Sequence, residues 1–242
     1  MSSAAESAPL SLTSSAAYHR GPVLGPILFI IYTADLELIV VEHGLSLHQY
    51  ADDSQIYGRS DATSLLATSM SQCVDSISSW MQSNCLQLNA DKTKVMWCSS
   101  TRKLPQLPSC PLSVSGALAS PVSSVRDLGV FIDNDLGAVT HVRRSVSCCF
   151  AALCQLRHLR RYVTNDCFRS LVASLIHSRL DYGNFVLVGL PPYLQWHLQS
   201  ILNAAARLVF SLRRYDHVTD ALAIHNGSTS RWLSWRFVYY TV

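Results

Sequence analysis

The chain has 242 residues, 49% of them hydrophobic and 14% charged, with a net charge of +3. That length suits one large domain or two small ones, and that balance supplies a core and argues against wholesale disorder. No apolar run reaches the roughly 18 residues of a membrane span, and no basic-then-apolar secretory signal opens the chain.

Residues 1–20 read as a disordered lead-in, because Met1 to Ala17 is rich in Ser and Ala and aperiodic. A helix follows Pro26, with Ile27, Ile30, Ile31, Ala34 and Leu38 expected on the face that packs under a sheet. Leu45 to Tyr50 alternates like a strand, and Ser54 to Gly58 reads as its hairpin partner. Asp61 is the expected N-cap of a helix whose buried face is Leu66, Met70, Cys73, Val74, Ile77, Trp80 and Met81, ended by Asn84. Two short strands, 86–88 and 95–98, flank a turn at Asn89 to Lys92. Residues 99–121 read as a Ser/Pro-rich connection, and Leu128 to Ile132 as one more strand.

Beyond Thr140 the period becomes helical. Three apolar stripes follow, read as the core faces of a three-helix bundle. They are Val142, Val146, Cys149, Phe150, Leu153; then Phe168, Leu171, Val172, Leu175, Ile176; then Leu194, Leu198, Ile201, Leu202, Ala205, Leu208. Thr164 and Pro191-Pro192 open the second and third helices, and Gly183 closes the second.

The hairpin tip Tyr50-Ala51-Asp52-Asp53 carries the most chemical information. Adjacent carboxylates repel, and a hard divalent cation relieves them. Such a pair suits phosphoryl or nucleotidyl transfer, in which two metals about 3.5–4 Å apart clamp the attacking and leaving oxygens. The plainer reading is a solvated acidic turn.

Charge is uneven along the chain. Residues 1–125 carry 6 Lys+Arg against 9 Asp+Glu, and residues 126–242 carry 13 against 7, all 13 of them Arg. This fits a metal site beside a phosphate-binding surface. At about 100° per residue, Arg143, Arg157 and Arg161 fall within about 40° of one another, a ridge for nucleic-acid phosphates or a solvated helix edge. None of the eight cysteines forms a C-x-x-C pair, so they read as reduced thiols of an intracellular protein, in nucleus or cytoplasm.

Five blocks in order, from Gly21 to about Ala221, resemble reverse transcriptases of the LINE type, from non-LTR retrotransposons. The first is Gly21-Pro22-Val23-Leu24-Gly25-Pro26-Ile27-Leu28-Phe29. It is followed by Tyr50-Ala51-Asp52-Asp53, by Trp80, Asn84, Leu86, Leu88, Asn89, Lys92 and Thr93, and by Leu128-Gly129-Val130-Phe131-Ile132-Asp133 with His141. The last comprises Ser178 to Asn184 with Leu198 to Leu208.

The resemblance implies an α+β fold: a partial antiparallel polymerase palm over 21–135 with packed helices, then an all-helical, thumb-like segment over 136–222. It leaves 223–242 as a divergent, aromatic-rich tail. It implies an RNA template, a DNA primer, and Mg²⁺, with Mn²⁺ as the alternative ion. Asp52 becomes a catalytic metal ligand and Asp53 its partner. Tyr50 and Gly21 fall beside nucleotide and primer. Lys92 approaches the triphosphate, or is a solvated lysine.

This chain departs from the pattern at Arg20 and Pro22, and no counterpart of the family's earlier palm Asp stands before Gly21. The isolated chain is therefore expected to be inactive and poorly soluble, with an open sheet edge. A non-catalytic nucleic-acid-binding module and a retrotransposon relic without a selected role stay open as alternatives.

Overall fold

The computed structural model describes residues 8–13, 24–114, 116–213 and 215–218. They form a mixed α/β arrangement of helices and small antiparallel sheets that divides into two compact units. The first runs to Asp127 and includes Ile132–Gly137. The second takes Leu128–Phe131 and the chain from Ala138 on. The boundary is expected after residue 135, and the chain changes unit between 127 and 138.

The main sheet of the first unit has four strands in the order β2-β3-β1-β4. They are β1 (Ala8–Thr13), β2 (Ser46–Tyr50), β3 (Asp53–Gly58) and β4 (Lys94–Val95). The strand β1 lies inside the stretch expected to be disordered, so that expectation fails for Ala8–Thr13. Alternation is hard to read in a Ser/Ala-rich stretch, and the strand is defined by pairing with β3, some 45 residues away in register Ala8↔Gly58 to Thr13↔Asp53. The rest of the lead-in, the first resemblance block up to Val23 and the tail from 219 lie outside the described residues.

Helix α3 (Thr63–Ser83) covers this sheet with the face its period dictates. Leu66, Met70, Cys73, Val74, Ile77 and Met81 are buried and Trp80 is partly so. Ile56 of β3, Val40 and Leu36 of α2 (Leu36–Glu42), and Val95 join this core, with Leu45, Leu88, Trp97, Leu112 and Val114. Each such side chain contributes about 1.5–3 kcal/mol by leaving water. The N-cap is Ala62, whose N–H donates to Ser60 Oγ, and not Asp61. Asn84 ends the helix as expected, with Nδ2 bonded to the Trp80 carbonyl at 2.8 Å.

The helix expected after Pro26 departs from expectation. It breaks into α1 (Leu24–Tyr32) and α2, separated by a turn. Ile27, Ile30, Ile31 and Leu38 are 49%, 55%, 66% and 66% exposed, and Ala34 is exposed too. Phe29, Thr33, Leu36 and Val40 are buried instead. The segment is apolar on nearly every side, so its period carries no contrast from which to read a face. Tyr32 fixes the helix end: its hydroxyl donates to the Asn84 carbonyl at 2.5 Å and its ring lies 6.5 Å from that of Trp80.

Residues 99–121, read as a plain connection, contain a 3₁₀ turn (Leu104–Gln106) and a hairpin of β5 (Leu112–Val114) and β6 (Ala117–Ala119). The strand expected over 128–132 is instead a hairpin, β7 (Ser124–Asp127) and β8 (Val130–Asp133). Leu128 and Gly129, with φ of 43° and 89°, are its two-residue turn. Positive φ at both central positions is the type I′ pattern that matches strand twist.

The second unit is a helical bundle. Its helices are α4 (Val139–Leu159), α5 (Asn165–Val172) continued through a π-helical turn (Ala173–His177) into α6 (Ser178–Asp181), and α7 (Pro192–Val209). The expected stripes supply the core with two departures: Phe150 of α4 is 38% exposed, and the buried face of α5–α6 shifts. Along α5–α6 the buried residues are Phe168, Val172, Ile176 and Leu180, while Leu171 is only partly buried and Leu175 is exposed. A π turn takes more residues than an α turn, which keeps every fourth side chain on the core side. Thr164 caps α5, accepting from the Cys167 N–H, and Gly183 closes α6 in the left-handed region.

Candidate polymerase hairpin

Strands β2 and β3 pair antiparallel from Ser46↔Tyr57 to Tyr50↔Asp53, leaving Ala51-Asp52 as a two-residue tip. Alternation sets this register. Leu47 and Ile56 pair on the core side, with Ile56 fully buried. Ala51 has φ of 53°, and Asp52 is not in the positive region. That is the type II′ pattern, whose first central residue is ordinarily Gly. A Cβ there costs roughly 1 kcal/mol or more.

Asp52 is exposed and Asp53 half-buried. The Asp53 carboxyl is raised above its ordinary range, first by burial, then by repulsion from Asp52 and from Asp127, while Lys92 pulls the other way. Two expected residues thus share one electrostatic neighbourhood with Lys92, which stands on the Asn89–Thr93 turn. There the Asn89 side chain accepts from the Lys92 N–H at 3.2 Å. Tyr50, at the end of β2, is 62% exposed.

Asp127 was not anticipated. It ends β7, and no local pattern joins it to a hairpin some 75 residues earlier. Asp52 and Asp53 fit two positions of a divalent-cation site, and an ion there would relieve the repulsion that raises Asp53. Among the described residues no three His, Cys, Asp or Glu side chains gather as a complete metal site.

The other expected site residues do not join them. Gly21 lies outside the described residues. Arg143 is in the first turns of α4 and Arg157 in its last, about 21 Å apart along the axis. Arg161 lies beyond the helix, past the C-cap Arg160, so the expected three-arginine ridge does not form on one helix. All eight cysteines are unpaired, and no helix among the described residues is long and apolar enough to cross a membrane.

The family model of reverse transcriptase (RNA-dependent DNA polymerase) matches residues 12–132, half of the chain, with the Asp52-Asp53 hairpin inside it. The chain belongs to the reverse transcriptase family, in its non-LTR, LINE-type branch. It is 25% identical over 65% of its length to a probable RNA-directed DNA polymerase from transposon BS of Drosophila melanogaster. It is 22% identical over 68% to the RNA-directed DNA polymerase from mobile element jockey of the same species, and 26% over 51% to that of Drosophila funebris. The match spans 18%, 18% and 14% of those three relatives. No solved structure matches the chain.

Proposed function

We propose that the chain is the catalytic-hairpin and following helical part of an RNA-directed DNA polymerase, with residues 21–135 acting as palm and the bundle as a thumb-like segment. The observation that carries this is Asp53: a half-buried carboxyl at a two-residue tip, raised by burial and by two neighbouring carboxylates. The reaction class is nucleotidyl transfer on an RNA template from a DNA primer. Mg²⁺, with Mn²⁺ as the alternative, would supply charge neutralisation at the transferring phosphate when bound.

The chain's own residues do the positioning. Asp52 and Asp53 would hold the ion from a tip that two strand neighbours of β3 keep in place. Lys92 offers a point charge toward triphosphate oxygens. Tyr50 presents an open ring beside the nucleotide or primer end. The unpaired thiols support an intracellular setting, in nucleus or cytoplasm.

The isolated chain is proposed to be inactive, because no third ligand completes the site among its described residues. Primer extension on an RNA template with Mg²⁺ or Mn²⁺ tests this. No extension is expected, and robust extension abolished by Asp52→Ala overturns the inactivity. Thermal melting tests the ion site itself: Mg²⁺ should raise the midpoint of the wild-type chain and leave Asp52→Asn/Asp53→Asn unmoved. A second reading, a nucleic-acid-binding module without catalysis, is favoured by an arginine groove in the helical unit.

A further inference from the structure

Two open surfaces of opposite charge lie in different parts of the chain. The first is on α2. At about 100° per residue, Glu37, Leu38, Val41 and Glu42 share an arc of about 140°, opposite the buried Leu36 and Val40. Leu38 is 66% and Val41 59% exposed, and both glutamates are exposed. Neither glutamate has an ion-pair partner among the described residues. Among the described helices, α2 alone sets two unpaired carboxylates around exposed large apolar side chains. No lysine or arginine occurs between Arg20 and Arg59.

The second surface is an open groove of about 590 Å³ bordered by the C-terminal turns of α4 and α7. Phe150, Leu153 and Leu208 form its apolar wall. Arg157, Arg160 and Arg207 add three positive charges, and no aspartate or glutamate lines the groove among the described residues. Arg160 is held from two sides. Its Nη2 donates to Asn165 Oδ1 at 2.6 Å, and its guanidinium carbon lies 4.9 Å from the centre of the Phe168 ring. Arg157 and Arg207 have no carboxylate partner among the described residues.

The two surfaces match in length, charge and polarity. The seven residues of α2 span about 10 Å, and α4 covers the same distance from Phe150 to Arg157. Each pairs exposed apolar side chains with charge of one sign, the pattern of a protein interaction site. A short amphipathic helix laid in an apolar groove is a recurrent mode of recognition. A nucleic-acid strand would also meet the arginines, but it brings no aliphatic side chains to Leu153 and Leu208, and its protein partners present more polar surfaces than this wall.

We propose that α2 of one copy docks in the α4–α7 groove of a second copy of this chain, with Leu38 and Val41 against the apolar wall and Glu37 and Glu42 facing the arginines. The two surfaces differ, so the contact is head-to-tail. Two copies exchange it reciprocally, or it continues along a row of copies. The proposal does not rest on the polymerase reading and asks nothing of Asp52 or Asp53. Of the three arginines, Arg157 alone belongs to the ridge expected from the sequence.

The test is sedimentation equilibrium of the nuclease-treated full chain in EDTA, over a range of protein concentrations and salt. The mass should rise above the 26.8 kDa of one chain as concentration increases, and salt should oppose the rise. Glu37→Arg/Glu42→Arg and Arg157→Glu/Arg207→Glu should each weaken association at least about tenfold, because each sets like charges face to face. Mixing the two variants should restore it to within about threefold of wild type, since each then meets the opposite charge on the other. Glu37→Gln/Glu42→Gln, which removes charge without adding any, should weaken it about threefold or more and serves where a reversal fails to fold. Leu38→Ser/Val41→Ser should weaken it about fivefold or more and leave the salt dependence unchanged. Asp75→Arg/Asp91→Arg reverses two exposed acids elsewhere and should leave association as in wild type.

The proposal is overturned if the wild-type chain keeps the mass of one copy at every concentration. It is also overturned if the mixed variants stay apart, or if the reversed variants associate as wild type does. Association seen only before nuclease treatment marks a strand bridging the copies and overturns it as well.

Discussion

The β2–β3 and β7–β8 hairpins both turn over two residues, and in both the first tip residue is a non-glycine with positive φ, Ala51 at 53° and Leu128 at 43°. They differ in what surrounds the tip. At β7–β8 the Tyr182 hydroxyl donates to the Leu128 carbonyl, and His141 Nδ1 accepts from the Phe131 N–H at 3.4 Å. At β2–β3 the tip carries an exposed Asp52 and repulsion among carboxylates. One strained turn is fastened by neighbours. The other is held by strand pairing on both sides of Asp53 and is charged, with no side-chain hydrogen bond to Ala51 or Asp52 among the described residues.

Breaking the fastened turn should have the largest effect. A Cβ on Gly129 would lie 3.0 Å from the Tyr182 ring, at a φ of 89°. Gly129→Ala should therefore cost about 2 kcal/mol or more in urea unfolding, by the left-handed penalty plus displacement of the ring. Tyr182→Phe removes the fastening hydroxyl alone and should cost about 1 kcal/mol, leaving the turn geometry possible.

Acid tests the same fastening. Burial holds His141 below the ordinary imidazole range, and the Nδ1 contact requires its unprotonated nitrogen. His177 is held low by burial too, with Asp181 opposing. The unfolded chain then binds more protons than the folded one from about pH 6.5 downward, so this stability is fully present above that pH and is lost as pH falls from there through the lowered folded-state pKa. His141→Asn should reduce that loss in melting curves taken from pH 7.5 to 5, the remainder belonging to His177. At the acidic tip the effect should be smallest and opposite in sign. Ala51→Gly should stabilise by up to about 1 kcal/mol through relief of the positive φ, less the entropy glycine loses on folding. A destabilising result would show that the Ala51 methyl packs usefully and that the tip is not a strained turn.

Much of this is legible in the sequence. The core faces of α3 and α7, and that of α4 apart from the exposed Phe150, were readable because each helix buries one stripe against a polar remainder. The β2–β3 hairpin was readable because strand alternation brackets a turn-prone pair of acids. The α1 face was not, because Ile27, Leu28, Phe29, Ile30 and Ile31 offer no polar contrast. Nor was β1, whose partner lies far along the chain. Asp127 beside Asp53, and Arg160 with Arg207 in one groove, arise from tertiary packing, which no local period encodes. The π turn took Leu171 and Leu175 off the buried face of α5–α6 and added Leu180 to the expected Phe168, Val172 and Ile176, without leaving a compositional sign.

The order β2-β3-β1-β4 gives the strand that begins with Asp53 a neighbour on each side, whereas β2 and β4 have one. Fraying from either outer strand leaves Asp53–Gly58 still hydrogen-bonded. Amide hydrogen exchange should therefore be slowest along β3 and faster at Ser46–Tyr50, as local openings begin where pairing is one-sided. The acidic tip is thereby anchored to the part of the sheet that opens last.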